Sequence, residues 1–510
     1  MVFLQTTGTA EAEENHAAHK SDVIYPTRTT NVDGDIYGSA YSREPIPRFE
    51  MPEGEMPPRI SYQFIRDELA LDGNPVLNLA SFVTTYMEPE ADKLIAENIS
   101  KNFIDAEEYP MSAELQNRCV NMIARLFNAP VGKEGNSLGV STIGSSEAIM
   151  LATLALKRKW QLRRKEAGKS TEKPNLVMGS NVQVCWEKAV RYMEIEPRYV
   201  NCDESHVFLN PEKAITLVDE NTIGVVAILG STYTGHYEDA KAMNDLLLEL
   251  EKETGLKVPM HIDAASGGFV APFVAPELEW DFRLPTVVSI NVSGHKYGLC
   301  YAGIGWAIWR SPEDLPEDLV FHINYLGSDQ ASFTLNFSKG AAPIISQYYV
   351  LIRFGKAGFR NIMENLYANT NYLADQLVAT GWFRLISSRD PAKGLPVLAF
   401  QLVNDRPHHF NETDVSHVIR ERGWIIPAYT MAPDLGNMHL LRVVLREDFS
   451  RNRCDLLAAD LKAAVEYLCK QDAAHMEVHR ASRGKWQSVF KKLPAHIVQN
   501  KAQKDSGKVC

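Results

Sequence analysis

The sequence predicts an α/β protein: a large domain whose mostly parallel sheet is flanked by helices, followed by a small C-terminal α+β domain. Two observations predict it. Between residues 140 and 310 short apolar runs alternate with longer amphipathic segments, the strand and crossover-helix order that builds a parallel sheet covered on both faces. Near residue 345 the texture changes to one long helical stretch and then short strands and helices, a compact α+β pattern. Charge sets a further piece apart. Residues 471–510 carry eight Lys/Arg against three Asp/Glu, a net of +5 on a chain whose total is −11, which marks them as a separate basic tail.

The elements follow in order. Residues 1–60 are polar, then rich in proline and acid, and read as an arm that is disordered at its start. The large domain is expected over 61–345. It opens with a helix over 61–71, the apolar, β-tolerant run Leu77 to Val83, and a helix over 88–102. Buried strands are expected at 175–178, 222–229, 260–263, 287–292 and 303–309, with helices at 147–166, 184–193 and 238–254. The small domain, 346–470, begins with a long helix over 345–378 and closes with one over 451–470. Ligands of open α/β sheets bind at the carboxyl ends of the strands, so the loops there are where chemistry is sought.

Composition narrows the function. With 45% apolar and 23% charged residues the chain has the make-up of a soluble globular protein, and no apolar run approaches a membrane span. Its N-terminus has acidic residues and neither an apolar signal core nor an Arg-rich presequence, so a cytoplasmic location is expected. The negative balance argues against nucleic acid as the main partner. Seven cysteines form no C-x-x-C pair and no zinc spacing, and read as reduced thiols with no metal site.

Three stretches carry chemistry. Ser293-Gly-His-Lys296 follows an apolar run and presents one amine, suited to a Schiff base if desolvated, or else an ordinary turn lysine. Asp263, in His261-Ile-Asp-Ala-Ala-Ser-Gly-Gly268, ends a buried strand and needs a cationic or donor partner; a protonated ring nitrogen, a salt bridge or a metal shared with His261 would each serve. Gly144-Ser145-Ser146-Glu147 opens a helix, where free N–H groups and hydroxyls hold a phosphate or simply cap the helix. Together they match the aldehyde, ring nitrogen and phosphate of pyridoxal 5′-phosphate.

These stretches resemble the glutamate decarboxylases of the fold-type I, transferase-like pyridoxal-phosphate class, most of all the plant and fungal branch. Further motifs carry the resemblance: Asn78-Leu-Ala-Ser-Phe-Val83, Glu108-Tyr-Pro110, Val182-Gln-Val-Cys-Trp186, Trp280-Asp-Phe-Arg-Leu284, Asn291-Val-Ser-Gly-His-Lys-Tyr-Gly298 and Asn336-Phe-Ser338. The resemblance implies decarboxylation of L-glutamate to 4-aminobutyrate. It implies that Lys296 binds the cofactor aldehyde and that Asp263 pairs with the ring nitrogen. Ser145, Ser146, Ser293 and His295 would surround the phosphate, with Ser338 reaching it from a neighbouring subunit. Gln183 and Ala265 would flank the ring and Thr232 would lie near its hydroxyl. Ser81, Phe82 and Asp105 match positions around the distal carboxylate of the substrate, and Arg442 one that receives a carboxylate. Tyr325 matches a mobile loop and is a candidate proton donor, with loop packing as its other reading. The family also implies at least a dimer, and in some members a hexamer.

Two alternatives remain open on the sequence. One keeps the cofactor and changes the substrate, as a decarboxylase or lyase for another amino acid or amine; the other is a non-enzymatic binding protein on the same scaffold. In the tail, Trp486, Phe490 and Leu493 fall at i, i+4 and i+7 among basic residues, a pattern that fits the apolar groove and acidic rims of calmodulin, although Pro494 interrupts any helix; a disordered basic end, or one docked on the chain's own acidic body, is the other reading.

Overall fold

The computed structural model describes residues 43, 45–132, 135–323, 330–405, 407–472, 476, 480 and 481. Most of the expected arm, Tyr325 and nearly all of the basic tail lie outside the described residues.

Residues 78–470 make up one compact unit. Its centre is a seven-stranded sheet of β1 (Leu138–Thr142), β2 (Asn175–Gly179), β3 (Glu196–Val200), β4 (Thr222–Ile228), β5 (Met260–Asp263), β6 (Val287–Ser293) and β7 (Gly305–Trp309), in the spatial order β1-β7-β6-β5-β4-β2-β3. The five strands from β6 to β3 are parallel neighbours, and β7 runs antiparallel to both β6 and β1. Strands β2, β4, β5 and β7 are buried at every residue. That is why they read as unbroken apolar runs: helices cover both faces. The largest of these helices, Ser145–Glu166, buries Ala148, Ile149, Leu151, Ala152, Ala155, Leu156 and Trp160, and ends on Arg163, Arg164 and Lys165, cations that suit its negative pole.

A second sheet is wholly antiparallel and takes Phe383–Leu385, Val397–Leu402, His439–Val444 and Ala428–Thr430 in that spatial order. Against it packs Glu412–Arg420, started by a reciprocal capping box between Asn411 and Asp414, and Arg451–Cys469, started by Ser450, packs on that helix and on Ala342–Ala379. The long helix Ala342–Ala379 is broken at Gly355 (φ 56°), a left-handed conformation that glycine adopts without cost to a side chain.

Two strands lacked an apolar signal. β3 contains Glu196, Pro197 and Arg198 and is tolerated because it is an edge; β1 is the opposite edge. The apolar run Leu77 to Val83 joins no sheet ladder. A single bridge pairs Asn78 with Ile425, Leu79 exchanges backbone bonds with Ile425 and Val444, and the buried Arg446 guanidinium ties down the carbonyls of Asn78 and Ser81. The described residues up to Leu77 belong to a separate unit, whose helix Pro58–Leu69 starts on a proline at its first turn and buries Ile60.

Candidate functional site

The parallel strands end in loops that enclose a cavity of about 420 Å³. The end of β5 supplies Asp263, and the loops after β4, β5 and β6 supply Gly230, Thr232, Ala265, Ser266, His295 and Lys296; the start of helix Ser145–Glu166 supplies Gly144, Ser145 and Ser146; the segment Ala80–Val83 closes one side. Gln183 and Cys185 come from the start of helix Val184–Tyr192.

Parallel register sets Asp263 at the end of β5 beside Asn291 on β6. Asp263 is 5% exposed and is held by neutral donors: Oδ2 accepts from Trp186 Nε1 at 2.7 Å, and Oδ1 from Asn291 Nδ2 at 2.9 Å and the Ala265 N–H at 3.1 Å. His261 is fully buried, with Ser289 Oγ 2.7 Å from Nδ1 and Asn291 Oδ1 2.8 Å from Nε2. Both ring nitrogens are thus engaged, which removes the metal reading of His261 and Asp263. Lys296 lies on the turn after β6. Its Nζ donates to Ser266 Oγ at 3.2 Å and sits 5.4 Å from the Phe82 ring centre. Desolvation lowers its affinity for a proton, opposed by the nearby Asp263 carboxylate. Thr84 pins the turn, its N–H to the His295 carbonyl and its hydroxyl to the Lys296 carbonyl.

At the helix start, Gly144 occupies the cap position and no side chain caps the helix. A Cβ there would lie 2.8 Å from His295 Cε1, so only glycine lets the imidazole approach. Ser293 Oγ donates to Ser145 Oγ at 2.7 Å, and Ser146 is exposed. His295 Nδ1 is enclosed and has no hydrogen-bond partner among the described residues; burial pushes the ring's pKa down to about 4.

On the substrate side, Ser81 and Phe82 line the cavity and Arg442 lies behind it. Arg442 is 1% exposed. Its guanidinium donates to the Thr232 and Ala80 carbonyls and faces the rings of Phe82, at 4.9 Å, and Tyr429, at 5.6 Å. It forms no ion pair among the described residues. Asp105 and Ser338 are not in the lining. They belong to two segments that meet elsewhere, where Asn102 pairs with Gly340 and Asn102 Nδ2 donates to Ser338 Oγ at 3.5 Å.

A model of the pyridoxal-dependent decarboxylase conserved domain matches residues 52–403. Glutamate decarboxylase of Petunia hybrida is 57% identical over 432 residues, 85% of each chain, and glutamate decarboxylase 1 of Arabidopsis thaliana is 54% identical over 475 residues, 93% of this chain and 91% of that one. The chain belongs to the pyridoxal-dependent decarboxylase family, among the glutamate decarboxylases. Its fold agrees: the solved glutamate decarboxylase of Lactobacillus brevis superposes with a TM-score of 0.82 at 42% identity, over 86% of this chain and 99% of that one. A sphingosine-1-phosphate lyase from Burkholderia pseudomallei shares the fold at 19% identity, with a TM-score of 0.70 over 89% of this chain and 100% of that one.

The residues of this decarboxylase-family cavity fit pyridoxal phosphate. The uncapped helix start and the unpartnered His295 Nδ1 suit a phosphate, Lys296 an aldehyde, and the ionisable Asp263 a ring nitrogen. Three contacts to these groups were not assigned from sequence: Trp186 and Asn291 on Asp263, and Ser266 on Lys296. Trp186 and Asn291 sit inside recognised motifs, but a tryptophan in a helix reads as core and an asparagine in a strand as structural. Only the fold brings them to the acid.

Proposed function

We infer that this chain catalyses the decarboxylation of L-glutamate to 4-aminobutyrate and carbon dioxide, with pyridoxal 5′-phosphate as cofactor. The observation that carries the reading is one cavity in which Lys296, Asp263, His295 and an uncapped helix start converge, in a chain whose relatives at 54–57% identity are named glutamate decarboxylases. When bound, pyridoxal phosphate supplies an aldehyde for an amino group and a ring that takes up the electrons left when a carboxyl group departs.

The chain's residues divide the remaining work. Lys296, desolvated and hydrogen-bonded to Ser266, releases its proton at Nζ more readily than a surface lysine. Asp263 would pair with the ring nitrogen, its side chain set by Trp186 and Asn291. Gln183 and Ala265 would bound a flat ring, and the buried Ile149 and Ile228 give the cavity an apolar floor. Arg442 offers a buried positive charge for a substrate carboxylate, and Ser81 and Phe82 bound the substrate on the same side. Tyr325 remains our candidate for returning a proton to the substrate carbon.

Asp105 and Ser338 support a further reading, that the enzyme works as a dimer or larger assembly. Both are assigned to the site by family resemblance, both lie outside the lining of their own cavity, and they sit on joined segments, so we propose that they complete the cavity of a neighbouring subunit. For the tail, we propose calcium-dependent calmodulin binding on the apolar spacing of Trp486, Phe490 and Leu493, in a cytoplasmic enzyme.

The activity is tested by incubating the protein with L-glutamate, L-aspartate or an aromatic amino acid and measuring carbon dioxide and the amine. Release of 4-aminobutyrate from glutamate alone is expected; release from another amino acid in preference would refute the substrate. Borohydride reduction should add the cofactor's mass to wild-type protein and not to Lys296→Ala.

A further inference from the structure

Asp263 makes no ion pair among the described residues, although it is 5% exposed. A buried carboxylate held only by neutral donors depends on their number and direction. Oδ1 is saturated by two donors fixed to the fold, the Ala265 N–H and the amide of Asn291. Asn291 cannot turn over. Its amide oxygen faces His261 Nε2 at 2.8 Å, and since that oxygen only accepts, the imidazole carries its proton on Nε2 and receives the Ser289 hydroxyl at Nδ1. Burial keeps the ring neutral, which this arrangement requires.

Oδ2 is different, with Trp186 Nε1 at 2.7 Å as its one donor. We propose that Trp186 is a positioning residue for cofactor binding: its indole N–H fixes the Asp263 carboxylate so that the second lone pair of Oδ2 is left for the cofactor's ring nitrogen. The indole is itself enclosed. It is fully buried, meets the His261 ring edge-on at 5.3 Å and 64°, and belongs to the helix Val184–Tyr192 that also brings Cys185 to the cavity. Asn291, itself held by His261 and Ser289, and Trp186 therefore bond the two different oxygens of one carboxylate.

The proposal rests on pyridoxal phosphate being the cofactor, which borohydride reduction of the wild-type protein tests separately. Trp186→Phe keeps a flat apolar ring against His261 and removes the N–H. Equilibrium dialysis of the holoenzyme gives cofactor dissociation constants for wild type, Trp186→Phe, Asp263→Asn and the double variant. A hydrogen bond to a charged group predicts that Trp186→Phe weakens cofactor binding roughly tenfold to a hundredfold in the wild-type background. With Asp263→Asn already present, the same change should alter binding less than about twofold, as a shared interaction requires. Equal losses in both backgrounds would mean that the indole acts by packing alone, and no loss in the wild-type background would mean that it does not position the acid. Either result overturns the proposal. Should Trp186→Phe fail to fold, benzothienylalanine at the same position keeps the bicyclic shape without the N–H and carries the same comparison.

Discussion

Arg442 shows what a single residue does here. A guanidinium enclosed with two carbonyls and two aromatic faces, and with no carboxylate beside it among the described residues, is a charge awaiting an anion. Arg442→Gln is expected to lower kcat/KM for L-glutamate by roughly 10²–10³, the cost of leaving a buried carboxylate unpaired; steady-state kinetics will check it. Glu447 gives a prediction in pH. Its Oε1 is enclosed with no partner among the described residues, and burial raises its pKa to about 7. The folded state therefore holds a proton that the unfolded chain has lost, so this group's contribution is present below its ordinary pKa and is lost as pH rises to 7. Glu447→Gln removes that loss. Its melting temperature relative to wild type should climb between pH 4.5 and 7 and level off above. At this scale the sequence revealed Lys296 and Asp263 because each lies where an apolar run gives way to a turn, Ser293-Gly294 before the lysine and Ala264 to Gly268 after the acid. It did not reveal Trp186, whose donor function exists only once its side chain meets Asp263 and His261 on β5.

At the scale of elements, the strand-to-helix turns carry the site, and glycine is where they are least tolerant. Gly267, in the turn after β5, has the Leu229 carbonyl 2.3 Å from where a Cβ would stand. The obstacle is backbone, which cannot rotate aside. Gly267→Ala should cost about 1–3 kcal/mol, seen as a lower urea midpoint and faster loss of cofactor on dilution. Elements buried on both faces were legible to within two or three residues: the strands expected at 222–229 and 260–263 are Thr222–Ile228 and Met260–Asp263. Edges were not. β1 and β3 are short and half-exposed, so apolar periodicity gives no sign of them. The run Leu77 to Val83 misleads in the other direction, because its apolar residues serve contacts to Ile425 and Val444 rather than a ladder.

For the whole molecule, the placement of Asp105 and Ser338 outside the lining has a test that uses two defective chains at once. In a mixed dimer of Lys296→Ala with Asp105→Ala, the cavity that keeps its lysine receives an intact Asp105 from the other subunit if the residue acts across the interface. Activity should then exceed that of either parent homodimer; if Asp105 acts within its own chain, it should not. A calmodulin pull-down with and without residues 471–510, in calcium and in chelator, examines the tail, and binding that survives the truncation would remove it from consideration. The hydrogen bond from Arg442 to the Ala80 carbonyl links positions 362 residues apart, so one wall of the cavity is braced by a residue far beyond its lining in the chain. During synthesis, no nascent chain that ends before Arg442 can present a finished site. A chain released early, even with Asp263, His295 and Lys296 in place, would lack the guanidinium proposed to meet a substrate carboxylate.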